Sequence, residues 1–347
     1  MKECNVNRTR AVLRKTAWSF FTIVFVVVLN FFLFRVLPGD PARAGIRDPR
    51  LNKDAIEVIR VRFGLDKPII NCFDSLNPVK VGNCAVNPLE TQFFIYAKNL
   101  VQGELGISYH ANRPVVDILG ERLWNTILLI GVGQILSIIL GAAFGVFAAW
   151  KARTSLEYTA VGISLVAWSL PTFWLAILLL FWGSMMGLPV AGKATPGMSS
   201  FSLLQQWGDI AKHMLLPTLT YTIIYMGEYT LIMRSSLLDV LSEDYILSAR
   251  AKGLNSVQIL RDHALKNAML PLVTVIAINL GFTVAGVIQI ESVFSWPGLG
   301  SAIYEAVIRR DFPVLQGAFL LIAITVILAN LLADLTYTYL DPRVTVE

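Results

Sequence analysis

Charge and the side chains of ordinary enzyme chemistry are scarce in this chain. Only 15% of its 347 residues are charged and 55% are hydrophobic, which excludes a soluble domain that must wet its whole surface. Its three histidines, His110, His213 and His263, are scattered, so no nucleophile, base and orienting group can be assembled and no catalytic residue is assigned. Three cysteines, Cys4, Cys72 and Cys84, are too few and wrongly spaced around His110 for a zinc site, and no metal is expected. No low-complexity tract or short repeat occurs, and the apolar stretches do not alternate as the ten-residue strands of a membrane barrel do. The one near match to a phosphate-binding loop, GLPVAGKAT at 187–195, has Ala194 where the magnesium-holding Ser or Thr belongs and no preceding strand. The chain therefore has no nucleotide site of its own and is not expected to be an enzyme.

What it has instead is long apolar runs. Six of them, at 17–37, 124–150, 158–185, 214–233, 270–290 and 315–339, each reach the roughly 20 residues that cross a hydrocarbon core as a helix. The expected class is all-α, a polytopic membrane protein with six transmembrane helices. The first run is too long for the core of a cleaved signal peptide, about 7 to 15 residues, and is read as a retained span. Basic residues set the orientation. Thirteen fall in the tails and loops of one side against four in the short loops of the other, which places both termini in the cytoplasm. The net charge of +5 is then explained by this bias and by anionic lipid, without nucleic acid.

This topology divides the chain into a cytoplasmic tail at 1–16, a first span at 17–37, an extracytoplasmic segment at 38–123, and a core of five spans at 124–347 that contains a cytoplasmic loop at about 234–269. Within the outer segment, Ile56, Ile59 and Phe63 share helical spacing between a possible Asn52 cap and Gly64. Cys72 and Cys84 lie there too. A disulfide between them would contribute on the order of 3 kcal/mol, with two free thiols as the alternative. Pro171 and Pro217 should kink their helices, and Gly141 with Gly145 offers a small-residue surface for helix packing. Glu228 lies inside an apolar run, where an ionisable group must face water or a partner. Two roles stand open for it: lining a substrate path, or pairing with Arg234. Asp334, one turn after Asn330, reads as a structural hydrogen-bonding group.

The most unusual segment sits in the 234–269 loop. Ser242 before Glu243 and Asp244 starts a helix, with Tyr245, Ile246 and Ala249 on one face. Gly253 stands where a left-handed residue ends it, and Asn255 with Gln258 caps a second helix carrying Val257, Leu260 and Ala264. A basic helix of this kind can lie in the lipid interface or serve as a solvated connector. Its alanines and glycine bury little in lipid and favour close approach by another protein.

DYILSARAKGL at 244–254 and ILRDHALKNAMLPLVT at 259–274 resemble the inner-face loop of the membrane subunits of binding-protein-dependent, ATP-driven (ABC) importers of the dipeptide and oligopeptide branch. The resemblance extends in order through LPGDPA at 37–42, GLDKP at 64–68, GELGISY at 103–109, NTILL at 125–129, ESVFSWPGLG at 291–300, RRDFPVLQGAFLL at 309–321 and NLLADLTYTYLDPR at 330–343. It implies the type I importer permease fold with an extracytoplasmic insertion, set in the inner membrane of a prokaryote. It also implies a second permease subunit, two cytoplasmic ATPases that carry ATP and Mg, an extracytoplasmic binding protein and a peptide substrate. By the same resemblance Tyr245, Ala249, Arg250, Ala251, Lys252, Gly253 and Leu254 form the surface that couples to the ATPase. Relatives of the branch also move nickel and other small solutes. Two features depart from the wider pattern: Leu247 stands where the superfamily often has glutamate, and the 69–95 region is longer.

Overall fold

The computed structural model describes residues 2–36, 91–283 and 288–340. The expected outer helix at 52–64 and the candidate disulfide Cys72–Cys84 lie outside these residues. As the composition required, the described chain is helical, with no strand among the described residues beyond an isolated bridge between Ile107 and Pro114. It divides into two compact units, Met1–Trp124 with Ser301–Glu347, and Asn125–Gly300.

In the first unit, α1 (Lys2–Val36) packs along α11 (Phe312–Leu340). Asn30 donates from Nδ2 to the Gln316 carbonyl at 3.1 Å, and Phe34 meets Phe319 with ring centroids 5.9 Å apart. The short helix α2 (Gln92–Val101) opens on Thr91, whose hydroxyl accepts from the Phe94 amide at 3.3 Å. It lays Phe93 and Tyr96 against Phe31, with centroids 5.2 and 5.3 Å away. Such aromatic pairs add to what area burial alone contributes.

The second unit contains most of α3 (Val115–Trp150), then α4 (Ser155–Ser169), α5 (Thr172–Met185), α6 (Leu203–Leu241), α7 (Asp244–Ala251), α8 (Leu265–Thr283) and α9 (Ile288–Val293); α10 (Leu299–Arg309) follows. The apolar run at 158–185 is two helices, α4 and α5, bent by 100°. Proline causes the break. Pro171 has no amide proton to continue the helix and forces its predecessor out of the helical region, so Leu170 is extended at ψ 132°. Pro217, by contrast, sits inside α6 without ending it. Two apolar clusters fill the unit. One joins Leu129, Met214, Tyr221 and Trp296; the other gathers Tyr229, Met233, Leu237, Ile246, Ile259 and Leu272.

By length and composition, three helices among the described residues can cross a membrane, within Val12–Phe34, Val115–Trp150 and Phe312–Leu332, and the bent α4–α5 pair makes a fourth if it is one span. The runs at 214–233 and 270–290 fall in α6, α8 and α9. Hydroxyls dilute the apolar character of α6: Thr218, Thr220, Thr222 and Thr230 are all buried in it. Thr220 and Thr230 turn back onto the Leu216 and Met226 carbonyls at 2.9 and 2.8 Å, which satisfies them within their own helix.

Close helix packing has a visible origin at the α3 glycines. A Cβ on Gly141 would lie 2.6 Å from the Tyr229 Cβ, and one on Gly145 2.6 Å from the Met233 Cβ. Only hydrogen at these two positions lets α3 and α6 approach to backbone contact.

Candidate functional site

The segment after α6 folds as two short helical pieces meeting at a sharp turn. Ser242 does not cap α7 as its sequence position suggested: its hydroxyl donates back to the Asp239 carbonyl at 2.7 Å, closing α6. The N-cap of α7 is Glu243, which makes no side-chain capping bond.

At its other end α7 stops on Gly253, at φ +83°. The Gly253 amide donates to the Arg250 carbonyl at 2.9 Å and the Leu254 amide to the Ala249 carbonyl at 3.4 Å. These are the two bonds of a glycine-terminated Schellman motif. A Cβ on Gly253 would meet no atom within 4 Å, so glycine is needed there for the backbone angle alone.

Asn255 restarts the helix with reciprocal bonds: the Gln258 amide donates to Asn255 Oδ1 at 2.9 Å, and the Asn255 amide donates to Gln258 Oε1 at 3.1 Å. The run then passes through a wide π turn at Ile259–Ala264 into α8. That turn changes which residues face inward. Ile259 is buried while Val257 is exposed, so the apolar stripe runs through Ile259, Ala264 and Ala268, with Leu260 half-buried.

The elbow thus has two sides. Ile246 and Ala249 are buried against the cluster formed by Leu237, Ile259, Ala264 and Ala268. The other side presents Tyr245, Leu247, Arg250, Ala251, Lys252 and Gly253 to the exterior, with Leu254 half-buried between them. Of the seven residues anticipated as a contact surface, Ala249 faces inward and helps anchor the elbow. Tyr245 is exposed on its ring while its hydroxyl accepts from Asn267 Nδ2 at 2.8 Å. At the edge of the elbow Asp262 pairs with Arg261 at 2.7 Å; this hydrogen-bonded partner holds the Asp262 carboxyl below its ordinary pKa.

Glu228 lies apart from the elbow, in a polar chain that joins three helices. Tyr221 Oη donates to Gln134 Oε1 at 2.6 Å, and Gln134 Nε2 donates to the Tyr229 hydroxyl at 2.5 Å. Asn279 Nδ2 lies 3.1 Å from the same hydroxyl and 2.9 Å from Glu228 Oε2, to which it donates. Arg234 is not the partner of Glu228. Its guanidinium grips the buried Glu157, with Nε 2.8 Å from Oε1, and the Arg153 amide donates to the same carboxylate.

Two further buried carboxylates tie motifs together across the sequence. Glu291, with no exposed surface, accepts from the Thr126 hydroxyl at 2.6 Å, while Thr126 Oγ1 accepts from the Leu299 amide at 2.7 Å. Beside it, Trp296 Nε1 donates to the Asn125 carbonyl at 3.0 Å and Asn125 Nδ2 to the Pro297 carbonyl at 2.8 Å. NTILL and ESVFSWPGLG are therefore parts of one knot. In the first unit Asp311 accepts from Ser108 Oγ at 2.5 Å and from the Tyr109 and His110 amides at 3.1 and 3.3 Å, which joins GELGISY to RRDFPVLQ in the same way.

With this geometry in view, comparison with known proteins is decisive. Residues 141–346 match the family model for the binding-protein-dependent transport system inner membrane component, and residues 8–130 match the model for the N-terminal part of such membrane components. The chain belongs to this family. Among its relatives, the dipeptide transport system permease of Escherichia coli K12 is 34% identical over 96% of this chain and 98% of its own length. The glutathione transport system permease of Shigella flexneri serotype 5b is 34% identical over 93% and 94%. A methionine ABC transporter solved in inward-facing conformations shares the fold with a TM-score of 0.52 at 19% identity, over 65% of this chain and 96% of that one. The protein is thus a membrane-embedded component of the binding-protein-dependent transport family, with the helical architecture of an importer permease.

The motifs around Glu291 and Asp311 are visible in the sequence, but the partners of these carboxylates are not, nor is the chain formed by Gln134, Tyr221 and Asn279. The available signal was their setting: a glutamine and an asparagine inside apolar helices need partners, and the partners become visible only when the helices are assembled.

Proposed function

We propose that this chain forms one half of the membrane pathway of an ATP-driven importer of di- or oligopeptides, with the 244–258 elbow as the surface gripped by a cytoplasmic ATPase. Its partners on this reading are a second, homologous permease subunit, two ATPase subunits or domains carrying ATP and Mg, and an extracytoplasmic binding protein that delivers the peptide. The chain spans the membrane six times with both termini in the cytoplasm, and carries an extracytoplasmic insertion at 38–123 ahead of the core at 124–347. It hydrolyses nothing itself. Glu228 faces the substrate path.

The observation that carries the reading is the two-sided elbow. A small-residue turn pinned by backbone bonds presents Leu247, Arg250, Ala251 and Lys252 outward, while Ile246 and Ala249 fasten it to the helices of the bundle. Movement imposed on the outer side is transmitted to α6 and α8 without passing through a flexible hinge. For ATP to drive transport, the nucleotide-bound ATPases must prefer one pore state, and reversing a 1:99 population requires about 5.5 kcal/mol of differential affinity.

Peptide is the favoured cargo because relatives whose names specify dipeptide and glutathione transport match over almost the whole chain. The same machinery carrying nickel or another small solute is the alternative, and a secondary transporter without a motor is a more distant one. The test is uptake in proteoliposomes containing the assembled importer. Uptake of labelled dipeptide that requires both the ATPases and ATP is expected, and uptake by this chain alone on an ion gradient would overturn the proposal.

A further inference from the structure

The polar chain across α3, α6 and α8 ends on a carboxylate that the fold leaves half satisfied. Glu228 lies in the apolar run at 214–233, where an ionised side chain is costly and marks a place that meets water or a charged partner. Asn279 donates to its Oε2 at 2.9 Å. Among the described residues no other donor reaches this carboxylate and no basic side chain pairs with it; Arg234, further along α6, is held by Glu157. Glu228 is half-buried, so part of the group stays open.

What surrounds that open part selects among charged partners. Tyr221, Tyr225 and Glu228 recur at i, i+4 and i+7 and share one stripe of α6. The Tyr225 ring stacks on Tyr221 with centroids 4.3 Å apart and meets Trp168 of α4 at 6.0 Å. Its hydroxyl makes no hydrogen bond among the described residues. The two helices come this close because residue 227 is glycine: a Cβ there would lie 2.5 Å from the Ser164 carbonyl and 3.0 Å from the Trp168 amide. Trp168 belongs to the last turn of α4, and Pro171 has no amide proton to give the Ala167 carbonyl. The negative end of the α4 dipole therefore lies at Trp168.

A carboxylate oxygen, an unused phenol oxygen, two electron-rich rings and a helix C-terminus all attract positive charge. Together they suit a compact cation with several N–H donors. A transition metal would need several carboxylate, imidazole or thiolate ligands, and no group of three such residues is assembled among the described residues. Resting on the peptide-transport reading above, we propose that Glu228 and Tyr225 receive the α-ammonium of the peptide as it crosses, with the Trp168 ring beside it. Every unblocked peptide carries this group, so the site recognises peptides without choosing among their side chains.

The test compares a dipeptide with its des-amino analogue in proteoliposomes containing the assembled importer, each supplied at a concentration that gives equal occupancy of the binding protein. The unsubstituted importer is expected to move the dipeptide about tenfold faster. Glu228→Gln keeps an oxygen for Asn279 but removes the charge, and should bring the two rates within about threefold by slowing the dipeptide alone. Glu228→Asp should retain most of the preference, and Lys212→Gln, an exposed position on α6, should change neither rate. Equal rates in the unsubstituted importer, or an undiminished preference in Glu228→Gln, would overturn the site and leave peptide transport standing. Equal slowing of both compounds in Glu228→Gln would assign the residue to helix packing and overturn the site as well. ATP-driven uptake of neither compound would remove the peptide reading and this proposal with it. Should Glu228→Gln fail to fold, Tyr225→Phe decides: losing one oxygen while keeping the ring should lower the preference about threefold, and an unchanged preference counts against the proposal.

Discussion

The 244–258 elbow keeps its shape through bonds between residues three to five positions apart, whereas Thr126 reaches Glu291 across 165 positions and Ser108 reaches Asp311 across 203. The elbow is exposed on its outer side and secured on the other by Ile246 and Ala249, with help from Leu254 and from the bond between Tyr245 and Asn267. The carboxylate knots are buried on every side. The difference separates two tasks. A surface that docks a partner needs a defined shape, and local capping provides one at little cost, while the knots hold distant parts of the chain in register. Substitutions in the knots should therefore lower stability, and substitutions in the elbow should remove transport while leaving the bundle folded.

In unfolding free energy the knots come first. The Glu291 carboxylate occupies the space a Cβ on Gly298 would take, and it cannot move aside without breaking its bond to Thr126. Gly298→Ala is expected to destabilise by about 3 kcal/mol, read as a lowered thermal transition in detergent at a fixed scan rate. Asp311→Asn replaces one of two acceptor oxygens with an amide facing donors; a loss of about 2 kcal/mol is expected, measured by the same transition.

The elbow substitutions should cost less stability and more function. Gly253→Val must hold a β-branched residue at φ +83°, a local penalty of roughly 1–2 kcal/mol, and should abolish ATP-driven uptake with membrane insertion unchanged. Gly253→Asn, which tolerates the left-handed region, should retain most uptake; equal loss in both variants would mean that the turn angle is not what matters. Asn255→Ala removes the cap and should cost about 1 kcal/mol, visible as faster amide exchange confined to the following turn.

The smallest effect is expected at a surface clasp. Asp209 accepts from the Thr195 amide and hydroxyl at 2.6 and 2.8 Å, and the backbone bond leads in holding its carboxyl below the ordinary 3.8. A depressed carboxylate stabilises the fold above its unfolded pKa and loses that contribution as pH falls through the folded value. The difference in thermal stability between the unsubstituted chain and Asp209→Asn should accordingly be largest near neutrality and shrink as pH falls below 3.8.

How far the sequence could be read follows the same division. The all-helical membrane class, the glycine turn and the Asn255–Gln258 box were legible because periodicity and capping act over one or two turns of chain. Ser242 was misread as the cap of α7 because a hydroxyl can equally turn back onto the helix before it. The inward position of Ile259 was hidden because one π turn shifts every later side chain around the axis. The break at Pro171 was legible as a kink but not as a 100° bend, since its size depends on what the two halves pack against. The Glu291 and Asp311 knots could be seen only as motif residues, because their partners are brought close by the fold and no local pattern marks them.

The decisive measurement is site-directed crosslinking along the elbow in intact cells, with single cysteines placed on either side of it. Leu247→Cys, Ala251→Cys and Lys252→Cys should capture a nucleotide-hydrolysing subunit, while Ala249→Cys and Ile259→Cys on the buried side should not. Adducts absent from all three outward positions, or appearing as readily from the buried ones, would contradict the assignment of this turn as the point where the motor holds the pore.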